Sequence, residues 1–465
     1  MKKRGNLSMD SLTSNLPEDK KKQLCALLGN VELTLLYKAS VHGYNASAFH
    51  QRCDRQGPTL LVAYNLSGYI FGAYTSVDYA QTGRDITDDE AFLFNCEAKI
   101  PVCIKVNSGH NARRDDSGMP TFGQQLYFCY KNQPVVVNQG HNAFNAYKAY
   151  GMTNNPFNFT PATLYGNDAQ LTECEVYKVE QKKDPQISAK MKPWRNVQWT
   201  EKQREGLMKM IRNHKPMTAS VSRVRILMIG PVGAGKSSFF NSINSVFMGR
   251  ITSKAMSGSA GTSLTTQFRT YPVKDGREGK PLPFVLCDTM GLEEQSGAGL
   301  DIDDVSSILQ GHVPDRYKFN PTTPFQPDEQ KASRPASLQE KIHCVMYVID
   351  ATKISLMSSK LEEKLAAIRK KVNSLGIPQM VLMTKVDEAC LDVEEDLQNV
   401  YITSYIKTKF QEVSSRLGVP VSCVLPVKNY SQELELELNC DVLLLTALQQ
   451  MLNFADDYLD DVAPV

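Results

Sequence analysis

No stretch of this 465-residue chain approaches the ~20 apolar residues that a bilayer-spanning helix needs, so no transmembrane segment is expected. Strong net charge is missing too. Against 52 Lys and Arg stand 50 Asp and Glu, a balance that gives no bulk attraction to nucleic acid or to an anionic membrane. Residues 1–16 carry no apolar run of the secretory type. Lys2 is not a myristoylation glycine, and Ala463-Pro464-Val465 is not a prenylation box. The eleven cysteines form neither a C-x-x-C pair nor a metal-type spacing, so the expectation is buried, reduced thiols in a reducing compartment, cytosol or nucleus.

What is present is globular: 42% hydrophobic and 22% charged residues, in a length that suits two domains. Residues 1–30 read as a helical lead-in, with the clearest helix at Pro17–Leu28. Residues 31–180 read as a β-rich or α+β domain of short strands: Val31–Tyr37, Thr59–Tyr64, Tyr69–Tyr74, Ala91–Asn95, Val102–Val106, Leu126–Tyr130, Val135–Val137 and Glu173–Val179. Asn65-Leu66-Ser67-Gly68 between two of them predicts a hairpin. Residues 181–222 are basic and polar and read as a linker helix, with Thr200 and Gln203 as a capping pair and Leu207, Met208 and Ile211 as an apolar stripe. Trp194 and Trp199, the only tryptophans, are expected to pack the two domains together.

Residues 223–460 alternate between apolar β-branched runs and helical segments. The runs are Val224–Ile229, Phe284–Cys287, Val345–Ile349, Met380–Met383 and Val421–Leu425; the helices include Leu361–Leu375, Tyr401–Leu417 and Asp441–Leu459. Strands apolar on both faces point to an α/β domain with a mostly parallel sheet.

The first of those strands runs into Gly230-Pro-Val-Gly233-Ala234-Gly235-Lys236-Ser237, which fits G-x-x-x-x-G-K-[ST] and precedes a helical run from Ser238. The glycines let successive amides point inward and form an anion nest at a helix N-terminus. Lys236 supplies a charge for β- and γ-phosphates, and Ser237 a hydroxyl for Mg²⁺. Downstream, Phe284–Cys287 ends in Asp288-Thr-Met-Gly291, a D-x-x-G whose aspartate can serve Mg²⁺ and whose glycine amide can follow a γ-phosphate. Between the two motifs, Thr262 and Thr265 are the candidates for a switch threonine on Mg²⁺.

Thr384-Lys385-Val386-Asp387, at the end of the Met380–Met383 strand, fits the [NT]-K-x-D pattern of guanine recognition. A carboxylate there accepts from both N1–H and the 2-amino group of guanine, a donor pair that adenine lacks. Thr384 stands where asparagine is more usual. Val427-Lys428-Asn429 occupies the position of the base-closing loop but matches its usual S-A-K poorly. An ATPase would want an acidic residue directly after Asp288, where Thr289 stands. The expected cofactors are therefore GTP or GDP with Mg²⁺.

No catalytic residue is assigned. Small G proteins orient the attacking water with a glutamine after D-x-x-G; here Leu292 and then Glu293 follow, and slow or partner-dependent hydrolysis is expected. A Gly/Pro-rich insertion at Gln295–Lys341 is longer than a minimal G domain needs and suggests a regulatory or assembly surface. In the first domain, Tyr37 and His42 belong to no Ser/His/Asp or Cys/His set, so that half reads as a binding module.

Longer landmarks carry a family resemblance. They are Leu36-Tyr37-Lys38-Ala39-Ser40-Val41-His42-Gly43, Arg52-Cys53, Gln56-Gly57-Pro58-Thr59, Cys174-Glu175-Val176-Tyr177, Gly230–Asn241, Leu286–Leu292, Asp315-Arg316-Tyr317, Ile342-His343-Cys344-Val345 and Asn429-Tyr430. Over roughly residues 25–460 the chain resembles the interferon-induced protein 44 family. That resemblance implies an N-terminal TLDc domain, a C-terminal GTP-binding domain, cytoplasmic residence and a part in interferon-linked antiviral innate immunity. Two functions stay open at this point: a nucleotide switch acting on protein partners or on self-association, and a TLDc-based scaffold in which nucleotide is structural.

Overall fold

A computed structural model of the chain describes residues 12–98, 101–106, 110–123, 126–138, 157, 159–182, 192–255, 265–293, 299–320, 323–326 and 336–462. The chain divides into two compact units, Met1–Lys182 and Lys183–Val465.

The first unit is built on two sheets. In one, β1 (Val31–Lys38), β2 (Thr59–Asn65), β3 (Ile70–Thr75), β5 (Phe92–Asn95), β6 (Val102–Lys105) and β11 (Leu171–Gln181) run in the order β1-β11-β2-β3-β5-β6. The other contains β4 (Arg84–Thr87), β7 (Asn111–Asp115), β8 (Thr121–Phe122), β9 (Leu126–Tyr127) and β10 (Val137–Asn138). The hairpin at Asn65–Gly68 is present. Asn65 Oδ1 accepts the Tyr69 amide at 2.8 Å, and Gly68 takes φ +86°, a left-handed turn position that suits glycine. Leu61, Ala63, Phe71, Ala73, Leu93, Cys174 and Val176 alternate inward to share one core with Phe49 from the helix Ala46–Cys53.

Three expectations for this unit change. The strand expected at Leu126–Tyr130 stops at Tyr127, because Cys129 takes φ +52° and turns the chain into the 3-10 turn Tyr130–Asn132. Val135 makes only an isolated bridge, and the strand near it is β10. β4 and β7 were not expected: their Arg-Asp content reads as loop, yet Arg113 is buried and pairs with Asp115 at 3.0 Å.

The second unit has one six-stranded sheet in the order β13-β14-β12-β15-β16-β17. Its strands are β12 (Val224–Ile229), β13 (Arg269–Lys274), β14 (Pro281–Asp288), β15 (Cys344–Asp350), β16 (Gln379–Thr384) and β17 (Val424–Pro426). All pairings are parallel except that of the edge strand β13 with β14. The apolar run at Val421 begins as a 3-10 turn, Val421–Cys423, and is extended only from Val424. With β14 on one side of β12 and β15 on the other, the strand order reverses at β12. Crevices at the carboxyl ends of such strands are where open α/β sheets bind ligands.

Helices cover both faces. Three matter below: α1 (Glu201–Arg212), α2 (Lys236–Met248) and α3 (Ile302–Leu309). The segment read as a linker contains α1, capped by the Thr200 hydroxyl on the Gln203 amide at 3.2 Å. Its Leu207 and Ile211 lie in the core of the second unit. Trp194 stands edge-on to Tyr401 and Phe410, at 5.1 and 4.9 Å between ring centroids, so its ring neighbours belong to this unit. The cysteines are free thiols, nine of the eleven buried. Among the described residues, no helix is long and apolar enough to cross a membrane.

Candidate functional site

β12 delivers the chain to the carboxyl edge of the sheet, where Gly230 passes so close to β15 that a Cβ would lie 2.1 Å from the Val348 carbonyl. Only glycine fits there. Gly233 and Gly235 follow with φ +74° and +94°, and α2 starts at Lys236. The left-handed turns place backbone amides ahead of a helix N-terminus, as an anion nest requires. Ala234 is buried beneath the loop, and Ser238 is half-buried in the first turn of α2.

Lys236 is buried, and its Nζ donates to the carbonyls of Gly230 at 2.9 Å and Pro231 at 3.0 Å. Burial pulls its pKa down to about 8, although nearby Asp288 works to hold the proton on. Asp288, at the end of β14, is fully buried. Its Oδ2 accepts the Ser237 hydroxyl at 2.5 Å; its Oδ1 has no hydrogen-bond partner. Burial raises its pKa, and Lys236 offsets this in part. Thr265 brings its hydroxyl to 3.2 Å from that of Ser237. Thr262 lies outside the described residues.

An orphaned, buried carboxylate oxygen beside two hydroxyls fits a hard divalent cation, since such an ion satisfies what no protein donor does. Among the described residues no cluster of three or more His, Cys, Asp or Glu is positioned to hold a metal. One carboxylate with hydroxyls is the sparse protein set that Mg²⁺ takes when phosphates complete its shell.

The chain after Asp288 lies directly on the phosphate loop. A Cβ on Gly291 would meet Val232 at 2.6 Å. Leu292 donates its amide to the Gly230 carbonyl at 3.0 Å, and its carbonyl accepts the Val232 amide at 3.3 Å. The Leu292 side chain is buried in the core, so this position presents nothing to a water. Thr289 is also buried, with its hydroxyl on the Met228 carbonyl at 2.9 Å.

The T-K-x-D segment meets the same loop from β16. The Thr384 hydroxyl donates to the Ala234 carbonyl at 2.7 Å and lies 3.2 Å from that of Ile349. Lys385 takes φ +55°, and its ammonium lies 3.1 Å from Asp350 and 3.5 Å from Glu388. Burial works to lower its pKa, but those carboxylates outweigh it and the value rises. Asp387, in the short helix Val386–Ala389, is half-buried, and burial raises its pKa, with Lys428 opposing.

Two further residues complete the arrangement: Asp350, which sequence reasoning did not single out, and Asn429, which it met only in the poorly matching loop after the last strand and among the family landmarks. Asn429 donates from Nδ2 to the Gly235 carbonyl at 3.3 Å, while the Val427 amide ties its loop to Met383 at 2.9 Å. Asp350 ends β15 and holds Lys385. Position and the Asn429-Tyr430 landmark were the signals for Asn429, three residues past the last strand; Asp350 gave none beyond being a polar residue at a strand end.

The TLDc domain family matches residues 6–180, and the 50S ribosome-binding GTPase family matches residues 225–385. Interferon-induced protein 44-like of Homo sapiens is 36% identical over 467 residues, covering 97% of this chain and 96% of that protein. Interferon-induced protein 44 of Homo sapiens is 34% identical over 447 residues, at 93% and 91% coverage. The Mus musculus protein of the same name is 30% identical over 452 residues, at 97% and 99%.

Proposed function

The chain belongs to the interferon-induced protein 44 family, and from that premise we propose that its second unit binds GTP and GDP as a switch acting on protein partners or on self-association. The observation that carries this reading is the bond from Thr384 to the Ala234 carbonyl. It fastens the strand bearing the base-reading Asp387 to the loop bearing the phosphate nest, so that one ligand spanning both would be a purine nucleotide.

In this reading the amides from Gly233 to Ser238 and the Lys236 ammonium hold the phosphates. Lys236 exchanges the Gly230 and Pro231 carbonyls for phosphate oxygens, a stronger, charge-assisted partner. Asp387 accepts from the guanine edge while the Lys385 stem lies along the base, its head fixed by Asp350. Ser237, Asp288 and Thr265 would hold Mg²⁺, which neutralises charge on the β- and γ-phosphate oxygens when bound. Gly291 follows the γ-phosphate through its amide.

Hydrolysis is slow or needs a partner's residue, because Leu292 offers no hydrogen bond to a water. The relatives' names add an interferon link; cytoplasmic residence and an antiviral part are what the family resemblance implies, and all belong to the same proposal. One observation favours the scaffold reading instead: Leu292 is already paired to the phosphate loop on both its amide and its carbonyl, which leaves that segment little to gain from a γ-phosphate.

Titration of the purified chain with labelled GTP, GDP and ATP, with Mg²⁺ or with a chelator, tests the proposal. Guanine nucleotides should bind more tightly than ATP, and Lys236→Ala should abolish binding. Equal or tighter binding of ATP contradicts it.

A further inference from the structure

Asp315-Arg316-Tyr317 lies in the insertion after α3 and has no part in the site described so far. In the fold this segment returns to the phosphate end of the sheet. Phe268 donates its amide to the Tyr317 carbonyl at 2.8 Å, Arg316 donates to the Phe268 carbonyl at 2.7 Å, and Phe319 donates to the Thr266 carbonyl at 3.1 Å. Gln267 and Lys318 form an antiparallel bridge between them. Asp315 Oδ1 accepts the Thr270 amide at 2.7 Å and lies 3.6 Å from the Arg269 guanidinium. Residues 317–319 thus pair with residues 266–268 around a single bridge, and Asp315-Arg316, with Arg316 at φ +66°, turn the chain into that pairing. Thr265, one residue ahead of that pairing, has its hydroxyl 3.2 Å from Ser237.

The other side of the segment is anchored as well. Tyr317 stands edge-on to Phe319 and Phe325, with centroids 5.7 and 5.0 Å away. Phe325 donates its amide to Asp304 at 2.6 Å, and Asp304 is a buried residue of α3, the helix that follows the Gly291 loop. The insertion therefore touches the chain leading from Thr265 and the helix after Gly291.

We propose that Asp315–Phe319 is a positioning segment for the switch: it holds Thr265 beside Ser237 and Asp288 before any ligand arrives, and so supplies part of a preference for triphosphate over diphosphate. The proposal rests on the guanine-nucleotide reading of the site. Its physical basis is preorganisation. A loop that must be ordered on binding spends conformational entropy at that moment, and backbone pairing made in advance removes the cost. A switch threonine meets the cation when a γ-phosphate is present, so the gain falls on GTP rather than on GDP.

Two pairs of variants test this. Phe319→Pro removes the amide that bonds Thr266, whereas Phe319→Leu keeps it. Asp315→Ala, on an exposed residue, removes the acceptor for Thr270, whereas Asp315→Asn keeps one. With Mg²⁺ present, Phe319→Pro and Asp315→Ala should lower the ratio of GTP to GDP affinity by about fivefold or more, with GDP affinity unchanged. Phe319→Leu and Asp315→Asn should keep the wild-type ratio. In the nucleotide-free protein, the Phe268 amide should exchange with solvent faster in Asp315→Ala than in wild type. An unchanged affinity ratio in folded Asp315→Ala whose Phe268 amide does exchange faster overturns the proposal, as does a wild-type protein that binds GTP and GDP equally. A wild-type protein that binds no guanine nucleotide overturns the underlying reading instead.

Discussion

The hydroxyl of Thr384 and the carbonyl of Ala234 meet at 2.7 Å across 150 positions of sequence, and both groups are shut away from solvent. A buried carbonyl whose donor is deleted pays its desolvation with no return, so the bond matters more for being enclosed. Thr384→Val keeps the shape and removes the donor. It should cost about 1–3 kcal/mol of stability and weaken GTP and GDP alike, because the Gly230–Gly235 loop and the strand ending at Thr384 lose their tie. Thr384→Ser should retain most of both. Denaturant unfolding alongside nucleotide titration reads the two effects.

Lys236 gives the site a pH signature. Its pKa in the folded, nucleotide-free protein is about 8 against an ordinary 10.5. Between those values the unfolded chain binds more protons, so stability rises with pH through that window. The cost of the buried ammonium is fully present below pH 8. The melting temperature of wild type relative to Lys236→Met should therefore climb from pH 8 to 10. Over the same range GTP affinity should fall, by up to about tenfold per pH unit, since phosphates favour the protonated amine. A GTP affinity that stays flat to pH 9.5 contradicts this.

Leu292 stands where a water-orienting glutamine would restore hydrolysis if the site were otherwise complete. Its burial says otherwise. Leu292→Gln should place an amide in an apolar core and cost about 1–3 kcal/mol, with no gain in single-turnover GTP hydrolysis. A variant of wild-type stability that hydrolyses GTP tenfold faster would show that the side chain is free to swing out.

The second unit was the more legible in sequence because its central strands are apolar on both faces. Val224–Ile229 is a strand over just the residues its pattern predicts. β13 escaped notice because it is an edge strand with Pro272 inside and Arg269 and Lys274 at its ends. In the first unit β7 was hidden by the reverse problem: Arg113 and Asp115 satisfy each other inside the fold, and a charged run reads as solvated loop, while β4 is a short, exposed strand with the same charged look. Contacts such as Thr384 with Ala234, or Asn429 with Gly235, leave no periodic trace, since they join segments by fold alone. Spacing also gave Thr262 and Thr265 equal standing, and it is geometry that places the hydroxyl of Thr265 beside that of Ser237.

Base selection by Asp387 is the claim on which the rest depends, and a nucleotide swap tests it most directly. Xanthine carries an oxygen where guanine carries its 2-amino group, so Asp387→Asn offers a donor where xanthine needs one. Competition titration of the wild type and this variant against GTP and xanthosine triphosphate should show the preference reverse, with the variant favouring the xanthine nucleotide. If the variant binds GTP as tightly as wild type does, Asp387 does not read the base and the guanine assignment is wrong.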